Sequence, residues 1–271
     1  MTKREAFKKT LGDFGSAILA GVIVAIAYYF FQNSNGFAPG GCKFPADFKA
    51  RFLKAQRERN DRLIDAALER YAKLEQGEGM FADDEPWTIA GAAVMAPNNK
   101  LFPQDPSLLA HTEDEYPLIH ADGSIAVGIV PSVRKARGDR SSTPIYGMGA
   151  YKGSIRNYLT SDAVRTTEDY DIDETGIRGI DWDTSFCCTP GNVRHIDCPT
   201  LIMGMTGGYE YLAAETIYRF SPAKDKTIAF VEGASHMLRP ARECEAFPGQ
   251  FGDTVKNLAD YIDRWISADR F

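Results

Sequence analysis

The residue whose type and place best suit catalysis is His236. It stands in the run Glu232-Gly233-Ala234-Ser235-His236, directly after the apolar stretch Thr227–Val231 (TIAFV). A short apolar run bounded by turn signals predicts a buried strand. In open α/β sheets, functional groups gather beyond the C-terminal ends of the strands. An imidazole placed there can act as a general base, and Gly233 lets the backbone turn sharply out of the strand. A histidine that merely hydrogen-bonds in a surface loop fits the same position. The other reactive side chains point to less. The five cysteines (Cys42, Cys187, Cys188, Cys198 and Cys244) form no C-x-x-C pair, and the four histidines complete no zinc-finger spacing. Cys187 and Cys188 are vicinal; their place in the chain fits redox chemistry or, as the commoner case, two semi-buried thiols. There is no Walker-type loop and no glycine-rich fingerprint after a strand, so neither a metal nor a nucleotide cofactor is expected.

The elements that must position His236 are legible around it. Thr200–Thr206 (TLIMGMT) is a continuous apolar run, as in a strand buried on both faces. Residues 209–220 read as a helix and Thr227–Val231 as a second buried strand. Residues 252–268 place Val255, Leu258, Tyr261, Ile262, Trp265 and Ile266 on one helical face. Strand, helix, strand, helix is the order of a parallel α/β unit. Further upstream, Phe48, Phe52, Leu53, Leu63, Ile64, Ala67, Leu68, Tyr71 and Leu74 recur near a helical period. This predicts an amphipathic helix, or two, ending near Gly77. Residues 88–96 and 124–130 read as short apolar elements, the second as a strand, and 151–165 as a helix. Residues 167–192 read as loop. The middle region, 46–190, is therefore expected to be helical and loop-rich, with one or two strands.

The N-terminus is distinct. Lys3, Arg4, Lys8 and Lys9 precede Phe14–Phe31, 18 residues without a charge. That length sits at the lower edge for a membrane-spanning helix. The positive flank comes first, which predicts a signal-anchor with the body outside the cytoplasm. A signal peptide cleaved at the small-x-small pattern Ala25-Ile26-Ala27 fits as well, as does a buried core helix. Residues 33–45, rich in Gly, Asn and Pro, read as a linker to one domain spanning 46–271. With 44% apolar and 25% charged residues the chain has a globular composition. Its net charge of −6, without a basic face, argues against a nucleic-acid partner.

The segments IDCPTLIMGMTGGYEYLAAE and KTIAFVEGASHMLRP, followed by a terminal helix with DYIDRWI, resemble the C-terminal end of the α/β-hydrolase superfamily. The resemblance covers about residues 190–271. It implies an α/β fold with a hydrolase-like parallel sheet, a cap-like middle region (46–190), and His236 as catalytic base. It places the acid in the loop after Gly204. Gly207 and Gly208 occupy the usual position, so Glu210 is the nearest carboxylate and is expected to orient His236. The family's G-x-S-x-G elbow is absent. Gly12-Asp13-Phe14-Gly15-Ser16 resembles the elbow of the dehalogenase branch, but the charged residues before it cannot form the buried strand an elbow needs. The resemblance implies a small-molecule substrate, an ester or related compound, attacked by a nucleophile that the sequence leaves unassigned. The other reading is a membrane-anchored, non-catalytic hydrolase-like module with a binding role.

Overall fold

The computed structural model of the chain describes residues 34–35, 38–39, 47–90, 108–135, 150–184, 188–208 and 211–268. Two residues each of β1 (Ser34–Asn35) and β2 (Ala38–Pro39) pair antiparallel inside the expected linker. The apolar segment 14–31, with Asp13 and Ser16, lies outside the described residues. Among the described residues no helix is long and apolar enough to cross a membrane.

The site-bearing part is a four-stranded sheet. Its strands are β4 (His111–Ile119), β5 (Ile125–Pro131), β9 (Thr200–Met205) and β10 (Lys226–Val231), in the order β5-β4-β10-β9. β9, β10 and β4 run parallel, and β5 returns antiparallel to β4. The chain is thus an α/β protein with a mixed sheet. Helix α4 (Tyr211–Phe220) connects β9 to β10 and covers one face, where Tyr211, Leu212 and Ala214 meet Ile202, Ile228 and Phe230. Helix α5 (Thr254–Ser267) covers the other, where Leu258 and Tyr261 pack on Ile119, Ala229 and Val231. Alternation along β10 explains both layers, since successive side chains point to opposite faces. Trp265 fastens the end of α5 by donating from Nε1 to Thr227 Oγ1 at 3.0 Å. The apolar face of α5 is narrower than its sequence suggests, because Val255 and Ile266 are exposed.

Phe230 is fully buried at the centre. Tyr116 and Tyr211 flank its ring at centroid distances of 5.8 and 6.0 Å. Gly204 faces the same ring, and a Cβ there would stand 2.3 Å from it. This is why the apolar run of β9 is broken by a glycine.

The β4–β5 hairpin turns through His120–Ser124. Gly123 N–H donates to His120 O and has φ +81°, and His120 N–H donates to Ser124 O, a tight turn followed by a left-handed residue. A bulge shifts the register between His111 and Glu115. The amides it frees are taken by Glu215 of α4. Its buried carboxylate accepts from Glu113 N at 3.1 Å and Asp114 N at 3.0 Å, and pairs with Arg219 at 3.2 Å. Burial works against the charge on Arg219, but the carboxylates of Asp114 and Glu113 outweigh it and raise its pKa. The bulge also bends the hairpin. Pro131 pairs with His111, at the far end of β4 from Ile119. A straight ladder would leave that end roughly 25 Å along the strand from the sheet's C-terminal rim. Yet Val133 N–H donates to Thr206 O, just beyond β9, at 3.1 Å. The hairpin therefore folds back over the sheet, as bulged strands do.

The middle region differs from its sequence reading. Its described residues form six strands, where one or two were expected: β3 (Pro86–Ala90), β4, β5, β6 (Ala150–Ser154), β7 (Arg165–Ile172) and β8 (Ile177–Asp181). The long helix is as expected, α1 (Phe48–Glu75). The helix expected over 151–165 is β6 followed by the short α2 (Ile155–Ser161), which Ser154 caps by accepting from Asn157 N. The loop expected over 167–192 is the β7–β8 hairpin and the single turn α3 (Thr189–Asn192). α1, the β3–β6 pair and α2 share a second core around Ile64, Ala67, Ile89, Ile155 and Tyr158. The β7–β8 hairpin packs Tyr170 and Ile172 into the main core.

Candidate functional site

The C-terminal rim of the parallel strands gathers the residues of interest. After β10 the chain makes a closed excursion. Ala234 bridges Pro240, Ser235 N–H donates to Arg239 O at 2.7 Å, and Ala241 N–H returns to Gly233 O at 2.8 Å. His236 stands at the exposed tip of this loop. Two backbone features build it. Gly233 has φ +68°, and a Cβ there would lie 1.9 Å from the Phe251 ring, so only glycine fits. Leu238 has φ +65° without being glycine, a conformation that costs about 1–2 kcal/mol. It is held by its own N–H on Ser235 O at 2.8 Å and by Thr254 Oγ1, which donates to Leu238 O at 2.6 Å. Strain held in this way clusters at functional sites.

Thr206 ties the loop to the rest of the rim. Its Oγ1, fully buried, accepts from Gly233 N at 2.8 Å, and its carbonyl accepts from Val133 N at 3.1 Å and Ser132 Oγ at 3.3 Å. Gly207 N–H donates to Ala234 O at 2.8 Å. The base of the loop is anchored from the other side by His120. Its Nδ1 lies 2.8 Å from Glu232 Oε2, a side-chain hydrogen bond across the root of the loop. Asn257 of α5 holds the backbone of this turn, donating to His120 O at 3.0 Å and Ala121 O at 3.1 Å. Nearby, Asp122 has its pKa lowered by hydrogen bonds from Ser124.

Beside the loop, between β9 and α4, runs a cleft of about 200 Å³. Ile202, Met203 and Met205 of β9 and Ala213, Ala214 and Ile217 of α4 form its apolar walls, and His236 lines it too. Tyr211 contributes at the start of α4. Its hydroxyl is sealed from solvent and finds no partner among the described residues, and burial pushes its pKa well above the usual range. Of the site residues the sequence suggests, His236 is therefore on the rim and in the cleft wall. Glu210 lies outside the described residues. His120 and Glu232 were missed. Glu232 was visible as the first residue of the loop, but the strand that delivers His120 was not recognised, because its sequence HTEDEYPLI is acidic and contains a proline. Cys188 and Cys244 are buried and Cys198 is exposed, while Cys187 lies outside the described residues. Among the described residues no group of three or more His, Cys, Asp or Glu side chains could hold a metal ion.

Fold and rim thus define an α/β protein with a histidine-bearing loop over an apolar cleft at the C-terminal edge of its sheet. Compared with family models, curated proteins and solved structures, the chain matches none.

Proposed function

We propose that this chain is a hydrolase of the α/β-hydrolase type acting on a small ester, with His236 as general base. The observation that carries the reading is the loop Glu232–Ala241. It follows a parallel strand, holds a strained Leu238 in place, and sets His236 in the wall of an apolar cleft. In such a reaction His236 takes the proton of the attacking nucleophile and returns it to the leaving alkoxide. The acyl C–O bond breaks, and water then releases the acid. Glu210, expected from the sequence to orient His236, keeps that role in the proposal. The His120–Glu232 pair fixes the root of the loop.

The test is labelling of the full chain with a fluorophosphonate, followed by peptide mapping, with His236→Ala as control. Stoichiometric labelling of one serine, lost in the variant, supports the reading and names the nucleophile. A folded chain that neither labels nor cleaves p-nitrophenyl esters defeats it. The second reading, a non-catalytic module that binds small apolar molecules, is favoured by one specific observation: the sequence contains no G-x-S-x-G elbow. A membrane anchor through residues 14–31 belongs to both readings. It is tested by whether the full chain partitions with membranes and a chain starting at residue 33 does not.

A further inference from the structure

Strand β5 is an edge of the main sheet, and among the described residues no further strand pairs with it beyond β4. Its register on β4 shows which way its backbone points. Val127 stands opposite Pro117, which has no N–H, so the two form a non-hydrogen-bonded pair. Alternation gives Ile125–Ile119 and Ile129–Glu115 the same character. The amides and carbonyls of Ile125, Val127 and Ile129 therefore point away from β4, toward the open edge. Their side chains share the sheet face of Ile119. Helix α5 packs on Ile119 but leaves its neighbours on β5 open. Ile125 is 43%, Val127 69% and Ile129 46% exposed. Edge strands are ordinarily shielded by charges, prolines or bulges. From Ile125 to Val130 the strand has neither a charge nor a proline, and the bulge opposite its end lies in β4.

We propose that β5 is a self-association surface: two copies of this chain pair their β5 strands antiparallel about a two-fold axis at Val127, joining two four-stranded sheets into one. In this register Val127 faces its own copy, and Ile125 faces Ile129 of the second copy. The outward amides and carbonyls of all three residues are then paired, in about six hydrogen bonds. At the ends of the ladder Gly123 meets Pro131 of the second copy. Gly123 N–H is already given to His120 O, and Pro131 has no N–H. A shift of the register by two residues in either direction would set the carbonyl of Ile129 or Ile125 against one of these and leave it unpaired. The β-branched side chains of the two copies become cross-strand neighbours on one face, in a strip between the two α5 helices. The strand suits its own copy as partner. The chain carries a net charge of −6, yet β5 brings no charge to the axis to repel its copy. The two-fold also closes the assembly and removes both open edges. A single strand pair buries less than the roughly 1,600 Å² of a standard stable interface, so the dimer should be reversible, with a Kd in about the micromolar range. β5 and β9 are opposite edges of the sheet, and the inference stands apart from the hydrolase reading.

The experiment is sedimentation of the full chain in detergent over a series from about 1 to about 100 μM, beside Val127→Lys, Val127→Glu and an equimolar mixture of the two variants. The parent chain should pass from monomer to dimer across the series. Val127 is the most exposed of the three residues, so either substitution leaves the core untouched. Each variant alone sets like charges against each other on the axis and should stay monomeric. The mixture, with lysine opposite glutamate, should dimerise again. A dimer that survives Val127→Lys, as one formed through residues 14–31 would, overturns the proposal, and so does a mixture that stays monomeric. A parent chain that is monomeric throughout also overturns it. Protection of the Ile125, Val127 and Ile129 amides from hydrogen exchange in that monomer would show that another segment of the same chain fills the edge.

Discussion

Replacing Gly233 by alanine tests whether the His236 loop is held as described. The new methyl carbon would lie 1.9, 2.2 and 2.4 Å from three atoms of the Phe251 ring, far inside van der Waals contact. Phe251 is 1% exposed, packed with Ala241 and Cys244, and cannot swing into solvent. Two costs therefore add. A non-glycine residue at φ +68° costs about 1–2 kcal/mol, and overpacking a core aromatic costs about 1–3 kcal/mol. The sum is roughly 2–5 kcal/mol, read as a lowered urea midpoint at unchanged m-value. Combining Gly233→Ala with Phe251→Ala removes the collision but not the backbone cost. The double variant should be less destabilised than the sum of the two singles by about 1–3 kcal/mol. A loss below about 1 kcal/mol for Gly233→Ala, or strict additivity in the cycle, would refute the claim that these two residues lock the loop.

Two buried hydroxyls at the rim should respond unequally. Thr206→Val leaves Gly233 N–H without its acceptor and should cost about 1–3 kcal/mol, whereas Tyr211→Phe deletes a hydroxyl that finds no partner among the described residues and should cost less; thermal melts of the pair decide this. Away from the site, the Arg70–Glu85 pair (2.7 Å) joins α1 to the start of β3, and the hydrogen bond from Arg70 lowers the Glu85 pKa. A depressed carboxylate pKa gives stability that is present above the unfolded value, about 4.3, and lost as pH falls through the folded value. The stability gap between the parent chain and Glu85→Gln, measured by denaturant titration, should therefore be open at pH 7 and close on the acid side of pH 4. A gap that persists unchanged at pH 2 would show that the pair's charge is not its source.

The tail was legible because burial and period agree there. TLIMGM and KTIAFV are largely apolar, since helices cover both sheet faces, and Gly204 within the first and Gly233 two residues past the second each have a structural task. The middle was not legible for a physical reason visible in β4. Thr112, Glu113 and Asp114 belong to a bulge, and the amides of Glu113 and Asp114 donate to Glu215, 102 and 101 positions away, which no local pattern reveals. A strand that spends its polar residues on a distant helix looks like a loop in sequence. β7 (RTTEDYDI) is similar: only Tyr170 and Ile172 face the core, and the rest of the strand carries no apolar side chain to signal its period. The site followed the same division. His236 announced itself through the strand before it, and His120 did not, because its own strand was hidden.

The placing of Thr206 shows how these distant parts become one rim. A single threonine accepts from the loop after β10 through its hydroxyl and from the end of the β4–β5 hairpin through its carbonyl. The carbonyl contact would not exist if β4 ran straight, so the bulge at 112–114 is a condition for the His236 loop to be fixed from that side. The strain at Leu238 is about 1–2 kcal/mol, of the same order as the two hydrogen bonds that hold it, at about 1 kcal/mol each. The loop therefore stays in this conformation only while Thr254 and Ser235 keep their partners, and the position of His236 depends on α5 and on the hairpin as much as on the strand that carries it.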